Sequence, residues 1–370
     1  MPAAVTLVAG GLVLGTFAHV RVPFAFGPAL LFVLLPPLVF EAAWNIDIDG
    51  LRAGALRIGL LAFPGTVFTA FVVAAALVVT HVAPLGIACV FGAIVSATDP
   101  VAVVAIFKRA TVPTRVRTIA EAESLANDGV AIVLYGIAVA LASGAPVSVG
   151  GAFASACASI VVGAVLGALA ALPIVALRTR VRIAWLSIGA TLALAYATYE
   201  VALLANVSAI FATAAAALGV RLAEPIAPLA ETISPSRVRA ARLDLDAFWM
   251  GLAHLANATA FFAAGLLIDV PRAFHEAAFA LVGIVALLAT RAVLAIVAGT
   301  GVADRIAIFL AGMRGGLPLA LALALPADLP GRATVVDGVF ATVLATLVLQ
   351  GALLDPILRR VAGRTGVSSP

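Results

Sequence analysis

A short polar stretch, Ser96-Ala97-Thr98-Asp99-Pro100, lies within a segment apolar enough to sit inside a lipid bilayer. A carboxylate at that depth is costly unless it faces a wet cavity or a partner. Pro100 lacks a backbone donor and disfavours helix at Asp99, so polar backbone groups are freed where the charge lies. Asp99 beside this break can therefore bind a cation or a proton.

A second polar segment, Glu123-Ser124-Leu125-Ala126-Asn127-Asp128-Gly129, lies in another apolar run. Helical spacing stacks Ser124 over Asp128, and Glu123 over Asn127, so two adjacent faces carry oxygen ligands. Hard cations prefer carboxylate, hydroxyl and carbonyl oxygens. The sequence therefore predicts an ion cage built from Asp99, Asp128, Ser124 and the freed carbonyl of Thr98.

The composition predicts the class of protein that must position these groups. The chain is 64% hydrophobic and 11% charged, whereas soluble domains are roughly 45 to 50% apolar and about 25% charged. We therefore expect an all-α polytopic membrane protein. The two cysteines lie in apolar runs, so neither a disulfide framework nor a cysteine metal site is predicted.

Apolar runs that end at charges, glycine or proline define about twelve candidate transmembrane helices. Most of the 22 basic residues lie in even-numbered loops or the C-terminal tail, which places both termini in the cytoplasm. The basic residues therefore report topology and not nucleic-acid binding. The candidate spans run approximately over residues 3–18, 26–44, 53–80, 84–107, 117–142, 149–177, 183–200, 202–220, 244–268, 274–299, 305–325 and 333–357.

One membrane acid is expected to have a structural role. Arg291 lies in the middle of a span, where an unpaired guanidinium would be very costly, so it needs a buried acid. We assign Glu123 as its partner, which leaves Asp99 and Asp128 for ion binding. Taken singly, each of these carboxylates fits a structural ion pair equally well.

Span 11 contains a second predicted break, Gly312-Met313-Arg314-Gly315-Gly316-Leu317-Pro318, where Gly315, Gly316 and Pro318 oppose a continuous helix. Spans 4 and 11 run in opposite directions when counted from a cytoplasmic N-terminus. Inverted repeats with two discontinuous helices that cross near the midplane are typical of alternating-access transporters. Arg314 either compensates the facing C-terminal helix dipoles or anchors a helix end near the interface.

These motifs resemble those of the monovalent cation:proton antiporters of the NhaP and eukaryotic sodium/proton exchanger type. The resemblance covers nearly the whole chain and implies sodium/proton exchange, pH homeostasis at the cell membrane, and a homodimer embedded in lipid whose core domain moves against a dimerisation domain. It implies neither a cofactor nor an enzymatic activity. The matching motifs, in order, are Leu35-Pro36-Pro37-Leu38-Val39-Phe40-Glu41, Thr98-Asp99-Pro100-Val101, Glu123-Ser124-Leu125-Ala126-Asn127-Asp128-Gly129, Gly312-Met313-Arg314-Gly315-Gly316-Leu317-Pro318-Leu319-Ala320-Leu321 and Leu349-Gln350-Gly351.

The resemblance also implies residue roles. Asn127 takes the place held by an aspartate in electrogenic relatives, which implies electroneutral exchange of one cation for one proton. Glu123 and Arg291 match the core salt bridge of the family. The sodium ligands implied by position are the carboxylates of Asp99 and Asp128, the side chain of Ser124, the backbone of Thr98 and, through water, Glu41.

Compared with the usual thirteen helices of the family, we expect this chain to begin at what would be the second helix. We therefore expect one transmembrane domain over 1–370, with an incomplete first repeat at 1–142, a linking helix at 149–177 and a second repeat at 183–357. The family's first helix normally helps to form the dimer, so the interface of a homodimer here stays open. No soluble regulatory domain is expected.

Two other functions could use the same acids. A cation channel would place them in a selectivity ring along a continuous pore, and an intramembrane aspartyl hydrolase would use Asp99 and Asp128 as a dyad that shares a proton. Two opposed broken helices favour the transporter over the channel, and a hydroxyl and an amide at ligand spacing argue against the hydrolase. We therefore expect alternating access, with cation and proton competing for both aspartates.

Overall fold

The computed structural model describes residues 3–17, 27–98, 114–146, 148–180, 184–223, 235–267 and 276–364. Within these ranges the regular elements are helices, which satisfy their own backbone groups in lipid. They are α1 (Ala3–Phe17), α2 (Gly27–Asn45), α3 (Ile48–Leu60), α4 (Thr66–Val79), α5 (Leu85–Ser96), α6 (Thr114–Ala142), α7 (Val149–Arg180), α8 (Ala184–Leu204), α9 (Ala209–Ala223), α10 (Pro235–Leu267), α11 (Ala277–Ala298), α12 (Val302–Leu310), α13 (Gly316–Leu323) and α14 (Arg332–Arg364).

Several of these helices have the length and composition of membrane spans. In the described part of the chain, 6 segments qualify, namely Ile48–Val79, Arg117–Ala142, Gly150–Arg178, Trp185–Leu204, Ala277–Ala298 and Arg332–Leu349. Shorter apolar helices are Thr6–Phe17, Phe32–Asn45, Leu85–Ser96 and Ala209–Ala223. The predicted all-α polytopic fold is confirmed.

Among the described residues, three features bear on the predicted helix breaks. A π-helical turn, Leu61–Gly65, joins α3 to α4 and contains Pro64, whose missing N–H removes one helical hydrogen bond. α5 ends at Ser96. Span 11 is divided between α12 and α13, and Pro318 lies in the first turn of α13, where an N–H has no helical partner in any case.

Contacts group the chain into two compact units, each assembled from separated stretches. The first unit takes Met1–Leu31, Asp47–Val147 and Ala258–Pro370. In its core, Phe91 of α5 and Phe279 of α11 meet edge to face with ring centroids 4.7 Å apart. This aromatic contact, with the helices around it, fixes the position of α5.

The second unit takes Phe32–Ile46 and Ser148–Asn257. Its core is a stack of aromatic rings in which Phe40 lies 4.1 Å from Trp249, centroid to centroid. Trp44 is fully buried, and its indole Nε1 donates a 2.7 Å hydrogen bond to Asp246 Oδ1. The buried indole thereby has a partner for its one polar group.

Candidate functional site

Polar backbone is freed at the end of α5, because the helix stops among buried residues. α5 ends at Ser96, and Ala97 is extended with φ −67° and ψ 140°. The carbonyl and amide of Thr98 therefore lie outside a helix, although Thr98 is buried. Asp99 and Pro100, the predicted charge and helix breaker, lie outside the described residues.

Helix α6 supplies partners for Thr98. Ser124 Oγ donates a 2.6 Å hydrogen bond to the carbonyl oxygen of Thr98. Asn127 contacts the same residue twice: its Nδ2 donates to Thr98 Oγ1 at 2.7 Å, and its Oδ1 accepts from the Thr98 N–H at 3.3 Å. Ser124 and Asn127 are three positions apart and share one side of α6. These contacts hold the end of α5 against the middle of α6.

Asp128 follows Asn127 directly and is half-buried. It lies one helical turn beyond Ser124 on the same helix. The structure thus brings Thr98, Ser124 and Asn127 together and places Asp128 next to them. Hydroxyl, carboxylate and main-chain carbonyl oxygens are ligands that hard cations prefer, and the carboxylate can take up a proton instead.

Glu123 lies on a neighbouring face of α6 and forms an ion pair with Arg291 of α11. Arg291 Nη2 donates to Glu123 Oε2 at 3.0 Å, and its Nη1 donates to Oε1 at 2.5 Å. The two side chains are only 4% and 3% exposed. Two parallel hydrogen bonds at such depth satisfy both charges and fix their orientation.

Arg291 also supports a helix end. Its Nε donates a 2.8 Å hydrogen bond to the carbonyl oxygen of Ile308, in the last turn of α12. Gly312 permits this approach, since a Cβ there would lie 2.8 Å from Arg291 Cγ and 2.9 Å from its Nε. A side chain larger than hydrogen at position 312 would displace the arginine.

Arg314 lies in the interruption between α12 and α13 and is buried. Its Nη1 donates hydrogen bonds to the carbonyl oxygens of Ser96 at 2.8 Å and Ala97 at 2.7 Å. The last carbonyls of a helix lack helical partners and carry its partial negative charge. The guanidinium therefore lies against the C-terminal end of α5, and buried Gly315, Gly316 and Pro318 follow it into α13.

Glu41 belongs to α2 in the second unit. Its Oε1 accepts a 2.8 Å hydrogen bond from Asn45 Nδ2, one turn along the same helix. A carboxylate with this amide neighbour is held at a defined position on α2.

Two groups that support the arginines were not predicted from the sequence. Thr346 Oγ1 accepts a 3.2 Å hydrogen bond from the backbone N–H of Arg314. Thr346 could have been noticed as a threonine within an apolar span, because a hydroxyl group in lipid must find a hydrogen-bond partner. The carbonyl of Ile308 gave no signal, because every residue carries the same group.

The sequence model of the transmembrane sodium/hydrogen exchangers matches residues 1–360 of the chain. The chain belongs to the sodium/hydrogen exchanger family. The resemblance drawn from its motifs is thereby confirmed. Members of this family are transporters, as expected for a chain that is not an enzyme.

Curated relatives match along almost the whole chain. The Na(+)/H(+) antiporter ApNhaP of Aphanothece halophytica is 29% identical, with 98% of this chain and 70% of the relative covered. The Na(+)/H(+) antiporter NhaH of Halobacillus aidingensis is 30% identical, with 97% and 92% covered. The Na(+)/H(+) antiporter NhaP of Pseudomonas aeruginosa is 31% identical, with 91% and 82% covered.

The fold is also similar to a solved exchanger structure. The sodium proton antiporter MjNhaP1 from Methanocaldococcus jannaschii superposes with a TM-score of 0.74 at 20% identity, covering 96% of this chain and 91% of that one. At this identity the similarity establishes the fold, which is that of a multi-span antiporter.

Proposed function

We propose that this chain exchanges sodium, or another alkali cation, for protons across the cell membrane. Family membership and the antiporter relatives support these two ions as substrates. The observation that carries the proposal is the contact of Thr98 with Ser124 and Asn127, beside Asp128, at the end of a helix that stops among buried residues. Such a site is lined by oxygen and lies at a helix end, as in transporters with discontinuous helices.

Competition at one site would produce the exchange. Asp99 and Asp128 carry the charge in this scheme, and Ser124 and the Thr98 carbonyl complete the cation ligands. A proton that binds a carboxylate releases the cation, and the empty charged site resists crossing a low-dielectric region. Alternating access then moves a cation in one direction and a proton in the other.

Asn127 supports electroneutral exchange of one cation for one proton. Its amide donates to the Thr98 hydroxyl and accepts from the Thr98 N–H. An ionised aspartate has no N–H to donate, so the neutral side chain suits both contacts. Position 127 therefore adds no charge and no titrating proton to the two proposed aspartates.

The proposal also covers the oligomeric state of the protein and its orientation in the membrane. We infer a homodimer in the cell membrane with both termini in the cytoplasm, supported by the family and by the distribution of basic residues. The inverted repeats and the water-mediated role of Glu41 are supported by the resemblance of the motifs.

Purified protein in liposomes tests the function. Added sodium should dissipate an imposed pH gradient, and an imposed membrane potential should leave the rate unchanged because no net charge moves. Asp99→Asn and Asp128→Asn should each abolish exchange, whereas Asp244→Asn, at an exposed position of α10, should not. Wild-type exchange by either of the first two variants contradicts the site, passive sodium current indicates a channel, and a potential-dependent rate contradicts the stoichiometry.

A further inference from the structure

Three buried polar side chains of the second unit have an atom with no hydrogen-bond partner among the described residues. They are Thr198 of α8, Thr213 of α9 and Asn257 of α10, and the atoms are the two threonine Oγ1 atoms and Asn257 Nδ2. The three residues are only 2%, 0% and 7% exposed. Burial of a polar group without a hydrogen bond is unfavourable, so each of these atoms needs a partner.

The two threonines differ from others in the described helices. A threonine hydroxyl within a helix can donate to the carbonyl oxygen one turn earlier. Thr69, Thr191 and Thr342 each donate to the carbonyl oxygen four positions before them. Thr198 and Thr213 also lie within helices, yet their hydroxyls make no such bond. These two hydroxyls are therefore available to another group.

Helix α10 runs antiparallel to α2 in the second unit. Phe40 of α2 stacks on Trp249 of α10. Trp44, one turn further along α2, donates to Asp246, which lies three positions before Trp249. A higher residue number in α2 thus corresponds to a lower residue number in α10.

Helix α8 is also antiparallel to α2, so it runs parallel to α10. Its Thr191 accepts a 3.3 Å hydrogen bond from Trp249 Nε1, and Trp249 lies at the level of Phe40. Further along α8, the hydroxyl of Tyr196 donates a 2.9 Å hydrogen bond to the carbonyl oxygen of Val33, which precedes Phe40 by two turns of α2.

The three polar side chains therefore lie at one level of the second unit. Thr198 is seven positions beyond Thr191, and Asn257 is eight positions beyond Trp249, so each helix rises by about 10 to 12 Å over this interval. Helices α8 and α9 pack against each other across a short connection. Thr198 lies six positions before that connection begins, and Thr213 lies five positions after it ends.

The faces of the helices bring the polar groups towards one another. Thr198 is two turns from Thr191, so it lies on the face of α8 that contacts α10. On each of the three helices, the residue one turn from the polar side chain is a buried alanine, namely Ala202, Ala217 or Ala253. Methyl groups occupy little space beside the polar atoms and offer them no hydrogen bond.

We propose that Thr198, Thr213 and Asn257 bind ordered water in the interior of the second unit. A buried water typically makes about three hydrogen bonds to polar groups that would otherwise be unsatisfied. It accepts from Asn257 Nδ2 and exchanges hydrogen bonds with the threonine hydroxyls, which both donate and accept. A bare cation does not fit, because the amide nitrogen offers it no lone pair and none of the three side chains is charged. The inference goes beyond the exchange function and does not depend on it.

A cryo-EM map of the wild-type protein in lipid nanodiscs, at a resolution that shows ordered water, tests the site. Density should lie about 3 Å from Asn257 Nδ2 and from at least one of the two threonine hydroxyls. It should remain when choline replaces sodium in the buffer. Density that is lost without sodium identifies a cation and overturns the inference. An empty site, or hydroxyls bound to their own helices or directly to Asn257, overturns it as well.

Thermal unfolding in detergent gives a second measurement. Thr198→Val and Asn257→Leu should each lower the midpoint, because each removes a partner of the water and leaves other polar groups buried. The triple variant Thr198→Val/Thr213→Val/Asn257→Leu should lose less than the sum of the three single changes, since no polar side chain then remains at the site. Additive shifts overturn the shared site.

A matched pair controls for this comparison. Thr69 belongs to the first unit, and its hydroxyl is bound within its own helix, so the shifts of Thr69→Val and Asn257→Leu should add. If Asn257→Leu does not fold, Thr198→Val, Thr213→Val and their double variant decide by the same criterion.

Discussion

Arg314 and Ser96 are separated by 218 positions in the sequence, yet Arg314 Nη1 donates a 2.8 Å hydrogen bond to the carbonyl oxygen of Ser96. The same nitrogen donates to Ala97. One guanidinium thus joins the end of α5 to the interruption between α12 and α13. The positive charge lies where the α5 dipole concentrates negative charge, so it stabilises a buried helix end.

Replacing Arg314 should therefore disrupt the site. Arg314→Gln should lower the exchange rate by about tenfold or more, because a buried carbonyl left without a donor costs about 1 to 3 kcal/mol. Arg314→Lys should retain part of the rate, since an ammonium still supplies the charge. Proteoliposome exchange measures both, with exposed Arg52→Gln as control, and a wild-type rate for Arg314→Gln would remove the proposed role.

Loss of Arg291 should lower stability. Arg291→Ala leaves Glu123 as a buried, unpaired charge, which typically costs about 3 to 5 kcal/mol. Thermal unfolding in detergent should show a clearly lower midpoint than for wild type or Arg52→Ala. An Arg291→Ala/Glu123→Gln double variant should recover part of the loss, because the unpaired carboxylate is gone. Equal stability of Arg291→Ala and wild type argues against a structural ion pair.

Two glycines offer a matched comparison of close packing. Gly312→Ala would place a methyl group 2.8 Å from Arg291 Cγ, and such overpacking typically costs about 1 to 3 kcal/mol. Gly59→Ala meets no atom within 4 Å and should be neutral or stabilising by up to about 1 kcal/mol, because alanine favours helix. Thermal unfolding of both variants checks the difference, and equal midpoints would show that Arg291 moves aside freely.

The Thr98 hydroxyl can be removed without changing the main chain. Thr98→Val deprives Asn127 Nδ2 of its acceptor, and an unsatisfied buried donor costs about 1 to 3 kcal/mol. We expect exchange to fall by about tenfold, with Thr98→Ser close to wild type because the hydroxyl is kept. If Thr98→Val and Thr98→Ser exchange at the same rate, the contact between Thr98 and Asn127 does not order the site.

Part of the site could be predicted from the sequence, because an unpaired charge or polar group inside a membrane span is energetically costly. A buried arginine in a span must have an acid, and the polar groups of α6 at helical spacing mark one side of that helix, so Glu123 and Ser124 could be singled out. The partners of the arginines in the main chain could not, because the carbonyls of Ser96 and Ile308 are chemically identical to all others. Only the tertiary packing of α5, α11 and α12 selects them.

The positions of the spans could also be predicted, because hydrophobic length is a local property of the sequence. The division into units could not be read in the same way. Phe32–Ile46 groups with Ser148–Asn257, whereas the intervening Asp47–Val147 groups with the C-terminal part of the chain. Such grouping depends on which helices touch, and hydropathy does not encode it.

The π-helical turn Leu61–Gly65 holds one more residue than an α-helical turn would, and it does so without ending the segment Ile48–Val79. Gly54 and Ile58 before it, and Val73 and Leu77 after it, are all buried. The extra residue thus changes the rotation of α4 about the helix axis relative to α3. As a result, the buried residues of each helix can face the protein interior. In an alignment, a relative with uninterrupted α-helix here should show a single-residue gap at this turn, and deletion of Pro64 should rotate one half by about 100° relative to the other.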